Sequence, residues 1–322
     1  MSDQDWRVYH GGGEPHDVKF PPSPPWRRFG GKSENDAYRG TKFLADQEAI
    51  DLVNAALYLR RPLLISGRPG SGKSSLAYSV ARELKLGPVL RWSITSSTKL
   101  SDGLYHYDAI GRLQDSAMGP SSSDTNVTVE KTLPDIGEYI RLGPLGAALL
   151  PAEKPRVLLV DEIDKSDMDF PNDLLHVFEE GEFEIPELVR MSKERKTIPV
   201  YQETWGEAKV VIEEGRVRCR EFPFVVMTSN EEREFPQAFL RRCLRLEMQI
   251  PNEEKLLSIV NTHFGPQAES AAKDLIARFI MDPTKKDVAT DQLLNAVYLV
   301  SRGVDSREKE AVFKAVLRSL SS

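Results

Sequence analysis

The segment GRPGSGKS, residues 67–74, lies between an apolar run at 62–66 and a stretch at 75–84 with helical periodicity. The apolar run is typical of a buried parallel strand, and the later stretch is typical of an amphipathic helix. The sequence therefore predicts a strand, a glycine-rich turn and a helix in direct succession, which indicates an α/β fold.

This turn has the spacing G-x-x-x-x-G-K-S of a phosphate-binding loop, or P-loop. Glycines let successive backbone N–H groups point inward at a phosphate, and the helix N-terminus adds partial positive charge. Lys73 is suited to reach the β- and γ-phosphates of a nucleotide, and the Ser74 hydroxyl to bind Mg²⁺. A plain glycine-rich turn is the alternative, which the strand–turn–helix context disfavours. The predicted cofactor-binding residues are Gly67, Arg68, Pro69, Gly70, Ser71, Gly72, Lys73, Ser74 and Ser75.

A second apolar run, RVLLV at 156–160, ends in two acidic residues, Asp161 and Glu162. The pattern predicts a buried strand with carboxylates at its carboxyl end, where open α/β sheets bind ligands. We expect Asp161 to hold Mg²⁺ through water, because this hard cation prefers oxygen ligands. Glu162 is placed to orient and activate an attacking water. A solvated acidic turn is the alternative, and the P-loop earlier in the chain argues against it.

Residues 222–229 (FPFVVMTS) predict another buried strand, and Asn230 follows it directly. Asn230 is suited to hydrogen-bond the attacking water or the γ-phosphate, although asparagine is also common in plain turns. Arg241 and Arg242 come at the end of a short predicted helix. Arginine suits bidentate phosphate contacts and charge stabilisation supplied by a neighbouring subunit, and a surface salt bridge is the alternative.

The composition fits a globular protein of one large and one smaller domain, with 322 residues, 40% hydrophobic and 29% charged. No apolar run approaches the roughly 20 residues of a membrane span, and residues 1–18 lack the apolar core of a signal peptide. Two cysteines are too few for a disulfide framework, which favours the cytoplasm. The net charge of −6 argues against general affinity for nucleic acid.

Residues 1 to about 36 are rich in glycine, proline and charge, which predicts irregular structure. Within them, Trp26 and Phe29 either dock on a protein surface or belong to a disordered tail. A helical pattern covers 43–59 and leads into the first strand. In nucleotide-binding domains of this layout the preceding segment commonly covers the base, so Lys42, Phe43 and Leu44 are candidates for the base pocket.

Other segments carry weaker patterns. We expect a strand at 89–94, a helix at 172–180 with His176 on its surface, and a hairpin turning at Glu214-Gly215. A helix over 136–150 is expected to be interrupted at Gly143-Pro144, and 116–132 to form a surface loop. The basic residues at 190–196 form a solvated face or, alternatively, a client or nucleic-acid contact. Further helices are expected near 252–263, 267–281, 290–302 and 306–320.

The ordered set GRPGSGKSS, VLLVDEID, FVVMTSN and LRRC, followed by a helical region, resembles an AAA+ ATPase. The segment LADQEAIDLVNAALYLRRPLLISGRPGSGKSSLA resembles the MoxR-like subgroup, and the resemblance covers about residues 38–322. By this resemblance the P-loop corresponds to Walker A, and Asp161 with Glu162 to Walker B. Asn230 corresponds to sensor 1. Arg242 corresponds to the arginine finger that acts on the next subunit's nucleotide, with Arg241 as its competitor.

The resemblance implies a P-loop NTPase fold, a three-layer αβα sandwich with a parallel central sheet, followed by a small all-α lid domain. The implied organisation is a Pro/Gly-rich extension at 1–37, a nucleotide-binding domain at 38–250 and a helical lid at 251–322. The implied cofactors are ATP and Mg²⁺. The implied partners are further copies of the chain in a hexameric ring and a protein client. No membrane partner is expected, and the acidic net charge disfavours nucleic acid.

The lid departs from the family pattern. Its third helix usually begins with a sensor-2 arginine, whereas this region reads VATDQLL at 288–294, with Lys285 or Lys286 as weak substitutes. The segments 116–132 and 182–207, with Tyr105 and Tyr107, are candidates for client contacts.

The leading hypothesis is an ATP-hydrolysing, ring-forming remodeller of a protein partner. A low-turnover ATP-dependent switch or scaffold is the second hypothesis, which the absent sensor-2 arginine favours and Glu162 opposes. A nucleic-acid-stimulated motor is the third hypothesis, and the acidic net charge opposes it.

Overall fold

The structure, a computed structural model, describes residues 6–11, 15–27, 32–117, 135–202, 208–249, 251–265, 273, 275–277, 290–304 and 310–317. These residues form two compact units. The first unit takes its described residues from Met1–Gln47, Ser66–Leu84 and Glu247–Ser322, and the second from Glu48–Ile65 and Lys85–Leu246. The linear division at residues 37 and 250 stays a prediction.

Helices and strands alternate along much of the described chain. The helices are α1 (Lys32–Lys42), α2 (Gln47–Leu59), α3 (Lys73–Glu83), α4 (Leu100–Leu104), α5 (Ala109–Ala117), α6 (Pro144–Ala148), α7 (Phe170–Glu180), α8 (Pro186–Met191), α9 (Gln237–Leu240), α10 (Glu253–Phe264), α11 (Thr290–Ser301) and α12 (Glu310–Val316). The strands are β1 (Leu63–Ser66), β2 (Leu90–Ser93), β3 (Tyr105–Tyr107), β4 (Ile140–Leu142), β5 (Val157–Asp161), β6 (Glu182–Glu184), β7 (Thr197–Tyr201), β8 (Lys209–Glu213), β9 (Arg216–Arg218), β10 (Phe224–Ser229) and β11 (Leu244–Glu247). Short 3₁₀ turns lie at Pro25–Arg27, Ile136–Tyr139 and Ile163–Lys165.

The central sheet has five parallel strands in the order β11-β1-β10-β5-β2. Strand β10 pairs with β5 from Phe224↔Val157 to Met227↔Val160, and β2 pairs with β5 on its other side. Every residue of β5 and β10 is buried, as expected for apolar strands covered on both faces. The predicted strands of this sheet and the α/β fold with a parallel central sheet are confirmed.

A second, six-stranded sheet with the order β3-β4-β7-β8-β9-β6 is absent from the sequence-based prediction. One part of it, the hairpin β8–β9, is confirmed. Its turn residues Glu214 and Gly215 have φ of 50° and 72°. A Cβ on Gly215 would lie 2.4 Å from the backbone nitrogen of Val189, so this turn requires glycine for space as well as for conformation.

The helix expected over 136–150 is wrong for most of its length. Residues Ile136–Tyr139 form a 3₁₀ turn, β4 follows, and α6 begins only at Pro144. The first and last residues of β4 are buried, and this strand lies between β3 and β7. Pairing with those two strands therefore overrides the apolar spacing that predicts a helix.

Residues 1–36 contain more regular structure than their composition predicts. Helix α1 begins at Lys32, inside the segment expected to be irregular, and α2, Gln47–Leu59, lies within the helical pattern predicted at 43–59. Helix α1 packs closely on α3, because a Cβ on Gly40 would lie 2.7 Å from the carbonyl oxygen of Tyr78. Packing against α3 stabilises α1 despite a sequence with few apolar residues.

Trp26 docks on helices of the first unit. Its ring makes edge-to-face contacts with Phe264 and Tyr298, at centroid distances of 5.7 and 6.1 Å. Its Nε1 donates a hydrogen bond to Asn295 Oδ1 at 3.1 Å. The docking alternative is confirmed for Trp26, while Phe29 lies outside the described residues.

The C-terminal helices follow the prediction where they are described. Helices α10 and α11 confirm those expected near 252–263 and 290–302, and α12 lies within the helix expected at 306–320, of which residues 306–309 and 318–320 lie outside the described ones. The helix expected at 267–281 lies mostly outside the described residues, as do Lys285 and Lys286. Apart from 116 and 117, which end α5, the loop expected at 116–132 also lies outside them. Within the described part of the chain, no helix combines the length and apolarity needed to cross a membrane.

His263 is a half-buried titratable group of the first unit. Burial lowers its pKa to about 4, and the nearby Lys42 ammonium acts in the same direction. The imidazole Nδ1 lies 2.7 Å from the Tyr38 hydroxyl, and the ring packs edge-on against Trp26. In an unfolded chain the pKa of histidine is about 6.5. Between these two pKa values the unfolded chain binds a proton that the folded chain does not, so the free energy of unfolding falls as the pH falls.

We predict that His263 makes the free energy of unfolding fall by about 1–2 kcal/mol when the pH is lowered from about 7 to about 5. This range allows for the partial exposure of the ring. His263→Phe keeps an aromatic ring but removes the titration, so its stability should change less over this interval. Urea unfolding at the two pH values measures the difference. An equal pH dependence of the two proteins would contradict the prediction.

Candidate functional site

The P-loop belongs to the first unit and joins β1 to α3. Gly72 has a left-handed φ of 92° and directly precedes Lys73, the first residue of α3. Since Gly72 has no side chain, the first N–H groups of α3 lack a side-chain cap. The Ser71 hydroxyl is buried and has no hydrogen-bond partner among the described residues. An N-cap residue without a side chain and an unpartnered hydroxyl at one helix N-terminus fit a phosphate group.

Lys73 is buried, with 7% of its surface exposed. Its Nζ donates hydrogen bonds to the carbonyl oxygens of Gly67 at 2.6 Å and Arg68 at 2.9 Å. A buried ammonium requires such partners, and these two carbonyls hold it against its own loop. The loop therefore concentrates one full positive charge beside the positive end of a helix.

Gly67 occupies a position that no other residue fits. Its φ is 138°, and an added Cβ would lie 2.5 Å from the carbonyl oxygen of Met248. The Met248 N–H donates to the Ser66 carbonyl at 2.8 Å, so the neighbouring backbone is itself fixed. The first glycine of the loop thus permits two backbone segments to approach each other closely.

Phe43, a candidate for the base pocket, lies beside the P-loop. A Cβ on Gly72 would be 3.4 Å from the Phe43 ring, and both residues belong to the first unit. Lys42, the neighbouring candidate, instead donates from Nζ to the carbonyl oxygen of Thr262. The structure brings Phe43 to the loop, and its contact with a base stays a prediction.

Asp161 ends β5 in the second unit and is 7% exposed. Its Oδ1 accepts a hydrogen bond from the Thr228 hydroxyl at 2.8 Å. Its Oδ2 accepts from the Arg91 guanidinium, at 2.6 Å from Nη2 and 3.1 Å from Nε. Both carboxylate oxygens therefore have fixed partners on the two strands that flank β5.

Glu162 follows Asp161 in a left-handed conformation, with φ of 62°. Its N–H donates to the Thr228 hydroxyl at 2.9 Å, and its carboxylate accepts from the Lys165 ammonium at 2.7 Å. This hydrogen bond is the main cause that raises the pKa of Lys165. The side chain of Glu162 is about half exposed, so it is accessible to water.

Asn230 lies at the same sheet edge as Glu162, because β5 and β10 are parallel neighbours. Its backbone N–H donates to the Asp164 carboxylate at 2.8 Å. The structure thus brings Asp161, Glu162 and Asn230 together, and adds Thr228 as a shared hydrogen-bonding group. The sequence feature that could have identified Thr228 is its position as a polar residue inside the buried run that precedes Asn230.

The two adjacent arginines differ in their surroundings. Arg242 forms an ion pair with Glu179 and donates from Nη1 to the carbonyl of Ala238 at 3.2 Å. Arg61 donates to the backbone carbonyls of both arginines and so fixes their backbone. Arg241 is exposed and lines an open pocket of about 390 Å³. The lining residues are Gln237, Ala238, Leu240, Arg241 and Arg245.

The predicted magnesium ligands are a hydroxyl, Ser74, in the first turn of α3 and a carboxylate, Asp161, at the end of β5. Among the described residues, no group of three or more His, Cys, Asp or Glu side chains could hold a metal ion on its own. Each is an oxygen donor of the kind that Mg²⁺ prefers. Ser74 belongs to the first unit and Asp161 to the second, so their joint role as magnesium ligands stays a prediction.

A family model described as "AAA domain (dynein-related subfamily)" matches residues 62–243, which is more than half of the chain. Curated proteins gave no match. Among solved structures, the crystal structure of NtrX from Brucella abortus is similar at 16% sequence identity and a TM-score of 0.39. The match covers 85% of this chain and 55% of the NtrX chain, so this chain spans about half of that protein.

We predict that Thr228→Val destabilises the protein by about 2 kcal/mol, because it removes the hydrogen-bond partner of the partly buried Glu162 amide and of one oxygen of the buried Asp161. Valine matches threonine in shape, so packing changes little. Thr228→Ser keeps the hydroxyl and should cost less. Urea unfolding compares the three proteins, and a Thr228→Val protein as stable as the wild type would contradict the assigned hydrogen bonds.

Proposed function

Because the chain belongs to the dynein-related subfamily of AAA domains, we propose that it binds ATP with Mg²⁺ and hydrolyses it. The observation that carries the proposal is the P-loop, where left-handed Gly72 precedes the buried Lys73 at the start of α3. Glu162 and Asn230 support hydrolysis as well as binding, since they lie at the carboxyl ends of neighbouring parallel strands.

In the proposed reaction the protein mainly positions groups and stabilises charge. Lys73 and the amides of the P-loop bind the phosphates, and Mg²⁺ neutralises charge on the phosphate oxygens when bound. Glu162 accepts a proton from the attacking water, and the Asn230 side chain orients that water. In this role the Glu162 carboxylate binds the attacking water beside the Lys165 ammonium or in place of it. The half-exposed side chain of Glu162 leaves room for that water.

The MoxR-like resemblance supports a finer proposal, in which the chain forms a ring, a hexamer, that remodels or activates a protein partner. Arginines near the end of α9 would then complete the site of the next subunit. A cytoplasmic location is part of this proposal, and it agrees with Cys219 and Cys243 being free thiols.

The alternative is an ATP-dependent switch with little turnover. The sequence at the start of α11, Thr290-Asp291-Gln292, favours it, because no arginine stands where the family pattern has sensor 2. The presence of both Glu162 and Asn230 favours hydrolysis instead. Measured turnover therefore separates the two functions.

We predict that Glu162→Gln lowers the ATP turnover number about 100-fold while ATP affinity stays nearly unchanged, because glutamine cannot accept the proton. Lys73→Ala should weaken ATP binding at least about tenfold, since it removes a charged hydrogen-bond donor to phosphate. Phosphate release and equilibrium nucleotide binding measure the two effects. His176→Ala, an exposed change on α7, is the control. Full turnover by Glu162→Gln would remove Glu162 from the proposed mechanism.

We predict that Arg242→Ala lowers turnover in the assembled ring roughly 10³-fold with little change in ATP affinity, as expected of an arginine that acts on a neighbour's nucleotide. Arg241→Ala is the matched comparison, because Arg241 is adjacent and more exposed. Turnover per subunit should rise with protein concentration as the ring assembles. If neither variant lowers turnover, no arginine of this pair acts in trans.

A further inference from the structure

Asp164 is the most buried charged side chain among the described residues, with 2% of its surface exposed. It lies in the 3₁₀ turn Ile163–Lys165, directly after the acidic pair that ends β5. Asp164 has no role in the proposed mechanism.

The carboxylate of Asp164 holds the turn that follows β10. Its Oδ2 accepts hydrogen bonds from the backbone N–H of Asn230 at 2.8 Å and of Glu232 at 3.2 Å. The residue between them, Glu231, has a left-handed φ of 63°, and its N–H donates to the Ser229 hydroxyl at 2.9 Å. Two amides thus converge on one carboxylate oxygen, an arrangement typical of anion-binding turns.

The other oxygen of Asp164 is costly to bury. Oδ1 is shielded from solvent and has no hydrogen-bond partner among the described residues. Burying a carboxylate with one unpartnered oxygen costs free energy that an apolar residue would avoid. A residue that only fills this space would not need a charge. We therefore attribute the charge to the two hydrogen bonds that Oδ2 accepts from the backbone amides.

Asp164 connects two residues that have roles in the proposed reaction, Glu162 and Asn230. Asp164 follows Glu162 within one tight turn, and its carboxylate binds the backbone of Asn230. A carboxylate that accepts two N–H groups makes shorter and stronger hydrogen bonds than a neutral acceptor. The connection therefore fixes the separation of the water-activating carboxylate from the water-orienting amide.

We propose that Asp164 is a positioning residue for ATP hydrolysis, which holds Asn230 in place relative to Glu162 without touching the nucleotide. The inference rests on the proposed function, since both positioned groups have their roles only in that reaction.

The test compares Asp164→Ala and Asp164→Asn with the wild type in the full chain. We expect Asp164→Ala to lower the turnover number about 10- to 100-fold, as small misplacements of catalytic groups do, with ATP affinity changed less than about twofold. Asp164→Asn keeps an oxygen acceptor and should recover part of the rate. Asp167→Ala, an exposed acid in the same segment, should behave as the wild type.

A double-mutant comparison separates positioning from a general loss of structure. If Asp164 acts through Asn230, adding Asp164→Ala to Asn230→Ala should lower turnover no further. Fully additive effects, an unchanged turnover number, or a loss of ATP affinity that parallels a lower melting temperature would each overturn the proposal. If Asp164→Ala does not fold, the same comparison is made with Asp164→Asn.

Amide hydrogen exchange at 230 and 232 gives a readout that does not depend on turnover. We expect exchange at both amides to rise about tenfold in Asp164→Asn, while the strand β10 stays protected. Unchanged exchange would overturn the proposal whatever the enzyme activity. If the wild type hydrolyses no ATP, the proposed function fails, and the exchange result still decides whether Asp164 holds this turn.

Discussion

The Thr228 hydroxyl joins two strands that both end in candidate catalytic groups. It donates to the Asp161 carboxylate and accepts the N–H of Glu162, although it belongs to β10. The last paired residues of β10 and β5 are Met227 and Val160. The Thr228 hydroxyl therefore links the two strands one residue beyond their last backbone pair. Glu162 leaves the strand conformation at this point, with positive φ, and its amide would otherwise lack a partner inside the sheet edge. The geometry of Asp161 and Glu162 at the end of β5 therefore depends on the Thr228 hydroxyl.

Sequence reasoning locates the main groups of the candidate site because each follows a buried apolar run. The P-loop follows β1, the acidic pair ends β5, and Asn230 follows β10. Local pattern is enough to expect Glu162 and Asn230 close together, since β5 and β10 are paired parallel strands whose carboxyl ends lie at one edge. The pattern does not reveal the partners of those groups. Arg91 and Asp164 act through neighbouring strands and turns, and their contacts depend on strand order and register, which no local window contains.

The difference between local sequence pattern and long-range contacts also explains where the predicted fold is wrong. Three strands of the central sheet, β1, β5 and β10, are largely apolar and buried, so they are recognised without knowledge of their neighbours. Four strands of the second sheet, β3, β4, β6 and β9, have only three residues each, too few for an alternating pattern to be distinguished from a helical one. The docking of Trp26 depends on Asn295 and Tyr298, which are distant in the chain. Composition alone describes that N-terminal segment as irregular.

The surroundings of Asp161 bear on how it would act toward a divalent cation. One oxygen accepts from Thr228 and the other accepts twice from Arg91, so the carboxylate is already oriented and its charge is already compensated. A cation that bound directly to Oδ2 would have to displace a guanidinium that lies at 2.6 Å. Contact through a water molecule retains all three hydrogen bonds, because water spans the extra distance. The charge of Arg91 also opposes a second positive charge nearby, so phosphate charge has to supply most of the attraction for Mg²⁺. In the proposed function the acidic pair therefore depends on bound nucleotide to recruit its metal.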